Sequence, residues 1–117
     1  MASNLRPDLF TLPAHRVVAL LREGQVTALQ LIDIVESRIA ATEKHVHATH
    51  ITCFDRARKV AAGMKHPRGD LPPGYLWGLP VLIKDSIAVD GLRFTVGSKV
   101  FQNRVAKGSH RLGHLLE

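Results

Sequence analysis

The chain has 117 residues, enough for one domain with a core of its own, although domains of this size bury a smaller share of their surface than large ones. Sixteen Lys and Arg against ten Asp and Glu leave a formal net charge of +6. The basic residues are dispersed, however. Their densest group is Arg56, Arg58 and Lys59, and no aromatic is interleaved with it, a pattern of solvated helix faces that argues against a nucleic-acid surface. The single Cys53 makes neither an internal disulfide nor a zinc pair, the start lacks a basic segment followed by a long apolar one, and no apolar run approaches the ~20 residues of a membrane span. These features exclude a disulfide scaffold and point to a cytoplasmic protein, neither secreted nor membrane-spanning.

In chain order, Pro13 to about Glu23 reads as a helix, with a proline suited to its first turn and Gly24 placed to end it; Val17, Leu20 and Leu21 share one face. A second helix is expected from Ala28 to about Lys44. Thr27 caps it while Gln30, three residues on, reaches back in a capping box. Ala28, Leu31, Ile32, Val35 and Ile39 form its apolar stripe, a core-facing one, and the two helices are expected to make a hairpin. Residues His47 to Phe54 carry Thr49, Ile51, Thr52, Cys53 and Phe54, a β-branched and aromatic content that suits a short strand. His45, His47 and His50 cluster with Cys53, but no carboxylate or second cysteine completes a ligand set, so the segment reads as polar and solvated. Asp55 is expected to cap a third helix running to about Lys65.

His66 to Gly78, with its prolines and glycines, is a loop. It leads into Trp77-Gly78-Leu79-Pro80-Val81-Leu82-Ile83-Lys84-Asp85, where Trp77 reads as a packing anchor and the continuous apolar run as a short, covered strand with Lys84 at its C-terminal end. An ammonium stripped of water loses preference for its charged form, so a lysine buried there would suit the work of a general base; a lysine that merely ends the strand and reaches back to water is the plainer reading. For Asp85, adjacent residues of a strand point to opposite faces, which favours a structural role in capping the turn that leaves the strand over steering the lysine's protonation. Asp90-Gly91 is a turn, Leu92 to Val96 a second extended piece, and Ser109 a cap for a final helix. His110 and His114 are one helical turn apart without the glutamate of the helical metalloprotease motif, and Gly97-Ser98-Lys99 lacks the earlier glycine of a phosphate loop.

The wider string, Gly78-Leu79-Pro80-Val81-Leu82-Ile83-Lys84-Asp85-Ser86-Ile87 continuing through Gly91-Leu92 and Phe94-Thr95-Val96-Gly97-Ser98, resembles the amidase signature family, with Thr27-Ala28-Leu29-Gln30-Leu31 similar to the helix start that precedes this motif. The resemblance implies that Lys84 is the base of a serine, cis-serine, lysine triad. It also implies that the two serines belong to a Gly/Ser-rich stretch further along. After Lys84 the serines here are Ser86, Ser98 and Ser109, none in such a run. The expectation is an α/β fold: residues 1–117 as the amino-terminal helices and first strands of an incomplete amidase signature mixed-sheet domain. Residues 1–65 would be mostly helical, 66–78 loop, and 79–117 strand, turn and the start of a helix. Such a portion would be inactive alone. It would need no metal or organic cofactor, would meet a small-molecule amide only when completed, and would leave an open strand edge at Val81 to Ile83 through which copies could self-associate. A non-catalytic interaction module or pseudoenzyme is the alternative.

Overall fold

Across the described residues, 7–116, the computed structural model consists of helices, turns and loops. It divides between Pro80 and Val81 into two units, each described by itself. In the first, a 3-10 turn at Pro7–Thr11 precedes α1 (Ala14–Arg22), α2 (Ala28–Val46) and α3 (Phe54–Gly63). Pro13 stands at the start of α1 and Gly24 just past its end with φ +70°, a left-handed backbone that glycine adopts without steric cost. There the Gln25 N–H reaches the Leu20 carbonyl at 2.9 Å and the Gly24 N–H the Leu21 carbonyl at 3.1 Å, satisfying two carbonyls that the helix end would otherwise strand. The capping box of α2 is present as expected: the Gln30 N–H donates to Thr27 Oγ1 at 3.1 Å and the Thr27 N–H to Gln30 Oε1 at 2.9 Å.

Leu9, Val17, Leu21, Val26, Leu31 and Ile34 form the core of this unit, with Leu12, Leu20, Ala28, Trp77 and Leu79 packed against it. The buried face of α2 is Leu31, Ile32 and Ile34, while Val35 and Ile39 are half-buried, so the stripe is rotated toward Ile34 from the one expected. Gly78 takes a left-handed backbone, φ +74°, where the loop passes this core; a Cβ there would stand at ordinary contact distance, 3.5 Å from the Leu21 methyls and 3.6 Å from Ala28 Cβ, so it is the backbone conformation that favours glycine. Trp77 is the packing anchor the sequence suggests, its ring edge-on to His66 at 5.2 Å between centroids. His66 Nε2 donates to the Arg22 carbonyl at 2.9 Å, pinning the loop to the end of α1. Helix α3 packs on α2 through Arg58, which bonds Glu36 and, at 2.9 Å, Asp33. Cys53, not Asp55, occupies the cap position of α3, and its side chain makes no capping bond.

In the second unit, residues 91–94 run beside 104–106. The Gly91 N–H donates to the Ala106 carbonyl at 3.0 Å, the Ala106 N–H to Leu92 at 2.9 Å and the Phe94 N–H to Arg104 at 2.9 Å, yet the pairing amounts to one antiparallel bridge between Arg93 and Val105. The Arg104 guanidinium lies 4.2 Å from the ring centroids of both Phe94 and Phe101, a cation sandwiched by two aromatic faces. A 3-10 turn at Lys99–Phe101 and α4 (Arg111–Leu116) complete the unit. Ser109 does not cap α4 with its side chain: its Oγ accepts the Asp90 N–H at 2.9 Å, while the Asp90 carboxylate accepts the Gly108 N–H at 2.7 Å.

These observations overturn the α/β expectation. Among the described residues there is no strand at 47–54, 79–84 or 92–96, and no sheet. The physical reason is that a strand exists only through a neighbour that takes up its backbone N–H and C=O groups, and β-branched content supplies no such neighbour. Val81 and Leu82 are 39% and 72% exposed, so the apolar run is not covered either. The open strand edge expected at residues 81–83 has no strand to act through.

Candidate functional site

Lys84 lies in a stretch of the second unit that is neither helix nor strand, and it is exposed. Burial at a strand end, the basis for expecting a neutral amine, is absent in this chain. What the structure builds with care is the backbone that carries Lys84. The Lys84 carbonyl accepts the Ile87 N–H at 2.9 Å, closing a turn over Asp85 and Ser86. The Asp85 carboxylate turns to residue 95: its Oδ1 accepts the Thr95 N–H at 2.8 Å and its Oδ2 accepts the Thr95 hydroxyl. The Asp85 carbonyl accepts the Val96 N–H at 3.2 Å. The Asp85 side chain thus ties its own turn to one ten residues on.

Thr95 is 6% exposed, a buried polar residue whose hydroxyl donates to Asp85 and accepts the Gly97 N–H at 3.2 Å. Its carbonyl accepts the Ser98 N–H at 3.0 Å, closing a tight turn with Val96 at φ +54° and Gly97 at φ +70° in the left-handed region. Sequence reasoning placed Thr95 in the matching string but assigned it no part. The available signal was the turn chemistry of Val96-Gly97, since a buried Thr beside a tight turn needs a hydroxyl partner. Of the serines after Lys84, Ser98 Oγ accepts the Val100 N–H at 3.3 Å and Ser109 Oγ the Asp90 N–H; Ser86 is exposed.

The other sequence candidates are not drawn together. His47 ends α2 in a left-handed conformation at φ 49°, and among the described residues no group of three or more His, Cys, Asp or Glu is placed to hold a metal ion. In the first unit an open cavity of about 330 Å³ is lined by Ala19, Arg22, Glu23, His66, Pro67 and Gly69, a set without Lys84. No helix among the described residues is long and apolar enough to cross a membrane.

The sequence model of the Amidase family matches residues 30–117, three quarters of the chain and the whole of the Lys84 turn and its clasp. This chain belongs to the amidase family. A glutamyl-tRNA(Gln) amidotransferase subunit of Solidesulfovibrio magneticus is 34% identical to it over 96 residues, covering 82% of this chain and 20% of that protein. The subunit of the same name from Roseiflexus castenholzii is 36% identical over 97 residues, 81% of this chain and 19% of that protein. That from a Synechococcus species is 38% identical over 88 residues, 73% and 18%. The chain thus spans about a fifth of the length of the relatives it matches. No solved structure matches it.

Proposed function

We propose that this chain is the amino-terminal segment of an enzyme that cleaves amide C–N bonds, to which it contributes Lys84 as the general base. The supporting observation is the family match over residues 30–117, which contains the Gly78 to Asp85 string with its lysine. In this reading the Lys84 amine takes a proton from the cis-serine hydroxyl, which takes that of the nucleophilic serine; the nucleophile adds to the amide carbonyl, the proton held by Lys84 is passed to the amide nitrogen as the C–N bond breaks and ammonia or an amine leaves, and water or a second acceptor then frees the acyl group from the serine. Both serines lie outside this sequence, in keeping with the structural bonds made by Ser98 and Ser109. Residues 1–117 then form one partial catalytic domain and do not turn over substrate by themselves. No metal or organic cofactor takes part. The relatives' names favour transfer of amide nitrogen over its simple release, with a small-molecule amide as donor. A cytoplasmic setting goes with this reading, on the single thiol Cys53 and the lack of any cysteine to pair with it.

Because Lys84 is exposed and its stem supports no core, Lys84→Ala is expected to leave helix content and unfolding midpoint unchanged. In the amide-cleaving polypeptide that carries these residues, the same change should lower kcat by roughly 10²- to 10⁴-fold, the usual worth of a positioned base. The purified 117-residue chain should release no ammonia from small amides. Turnover by the purified chain that vanishes on Lys84→Ala would place the nucleophile inside this sequence and overturn the assignment.

A further inference from the structure

We infer that the clasp between Asp85 and Thr95 is a positioning device for Lys84, fixing the backbone from which the amine projects; the inference rests on the reading of Lys84 as the base. A lysine side chain is a long, flexible stem with many accessible rotamers, so an exposed lysine is aimed first by where its own backbone is held. Here the residue next to it is held by three bonds to one short segment: Asp85 Oδ1 to the Thr95 N–H at 2.8 Å, Asp85 Oδ2 to the Thr95 hydroxyl, and the Asp85 carbonyl to the Val96 N–H at 3.2 Å. The Lys84 carbonyl is fixed separately by the Ile87 N–H.

Two features show that this anchor is stiff. Thr95 is 6% exposed, and a buried hydroxyl or carboxylate deprived of its partner costs far more than a surface one, so water does not readily replace the bond. Val96 is β-branched with φ +54°, a conformation that persists only where the surroundings over-determine it. The surroundings in question are the bonds of Thr95 to Asp85, Gly97 and Ser98. The carboxylate beside the amine is directed to Thr95 through both of its oxygens, which draws it toward the clasp. Thr95 touches neither the amine nor a substrate; it acts through Asp85 and the turn.

The test compares Thr95→Val, which keeps the shape and loses the hydroxyl, with Thr95→Ser, which restores the hydroxyl, and with Lys84→Ala. Turnover is followed in the amide-cleaving polypeptide that carries these residues, and hydrogen exchange at the Ile87 and Val96 amides is followed in the 117-residue chain. Thr95→Val should lower kcat by roughly tenfold or more with KM within about twofold of the parent, and speed exchange at both amides, while Thr95→Ser recovers both. Parent-like kcat in Thr95→Val, or unchanged exchange at Ile87, overturns the inference. A fall that Thr95→Ser fails to recover overturns it too, since the loss would then follow from packing and not from the hydroxyl bond. Turnover that survives Lys84→Ala overturns the reading of Lys84 as base instead, and exchange at Ile87 still decides whether the clasp holds the turn.

Discussion

Val96 carries the most costly backbone in the second unit, a left-handed conformation that hinders a branched side chain by roughly 1–2 kcal/mol, and its side chain, 51% exposed, recovers little by burial. Asparagine tolerates that conformation. Val96→Asn is therefore expected to raise stability by about 1 kcal/mol, read as a higher urea midpoint at unchanged slope. A lower midpoint would mean that the valine side chain makes packing contacts worth more than the strain. The residue was not legible from its neighbours, because Gly97 alone satisfies the usual demand for one left-handed position and nothing local announces a second. Lys84 was legible as a chemical group and its exposure agrees with the plainer reading of a lysine that reaches water; what was misjudged is the covered strand before it, since cover depends on distant residues.

At the level of elements, α2 is the best-specified part of the chain, closed at its start by Thr27 and Gln30 and at its end by Glu43. Both Glu43 carboxylate oxygens accept the Thr49 N–H at 2.9 Å, and Oε2 also accepts the Thr49 hydroxyl at 2.8 Å. The Thr49 N–H, then its hydroxyl, hold the Glu43 carboxyl below its ordinary value of 4.5. A carboxylate with a depressed folded value contributes stability that is complete above the unfolded value and lost as pH falls through the folded one. Protection of the Thr49 amide, corrected for intrinsic exchange, should stay level from neutral pH down to the ordinary carboxylate range and fall away below it, and Glu43→Gln should flatten that profile. A parent profile that is already flat would show that the bond does not order the segment. The start of α2 was readable because a capping box closes within three residues; its end was not, because the Glu43 bond spans six and depends on the left-handed turn at His47. The pairing of α3 to α2 by Arg58, whose guanidinium is held charged still more firmly by Glu36 and Asp33, spans more than twenty residues and left no local trace.

For the molecule as a whole, burial is uneven. The first unit holds a cluster of six buried apolar side chains, whereas the buried apolar side chains of the second are Val89 and Ala106. Leu21 is 2% exposed at the centre of that cluster, touched by the loop through Gly78. Leu21→Ala should cost about 2–5 kcal/mol by lost transfer energy plus the cavity left behind. Urea unfolding followed by the fluorescence of Trp77, which packs on the same cluster, reads that cost directly. A change under about 1 kcal/mol would mean that the cluster collapses around the gap.

The start of α2, the glycine stop after α1 and the proline-rich loop followed from the order of residues because each is closed by bonds between neighbours a few positions apart. The family and the catalytic candidate came instead from the resemblance carried by the string around Lys84. Whether an apolar run becomes a strand, whether a lysine is covered and which hydroxyl takes up an aspartate are matters of contacts between distant residues. The expected strands had no neighbour to complete their backbone bonds, and so the residues read as a sheet are held by turns, a single bridge, an arginine between two phenylalanines and the clasp of Asp85 on Thr95.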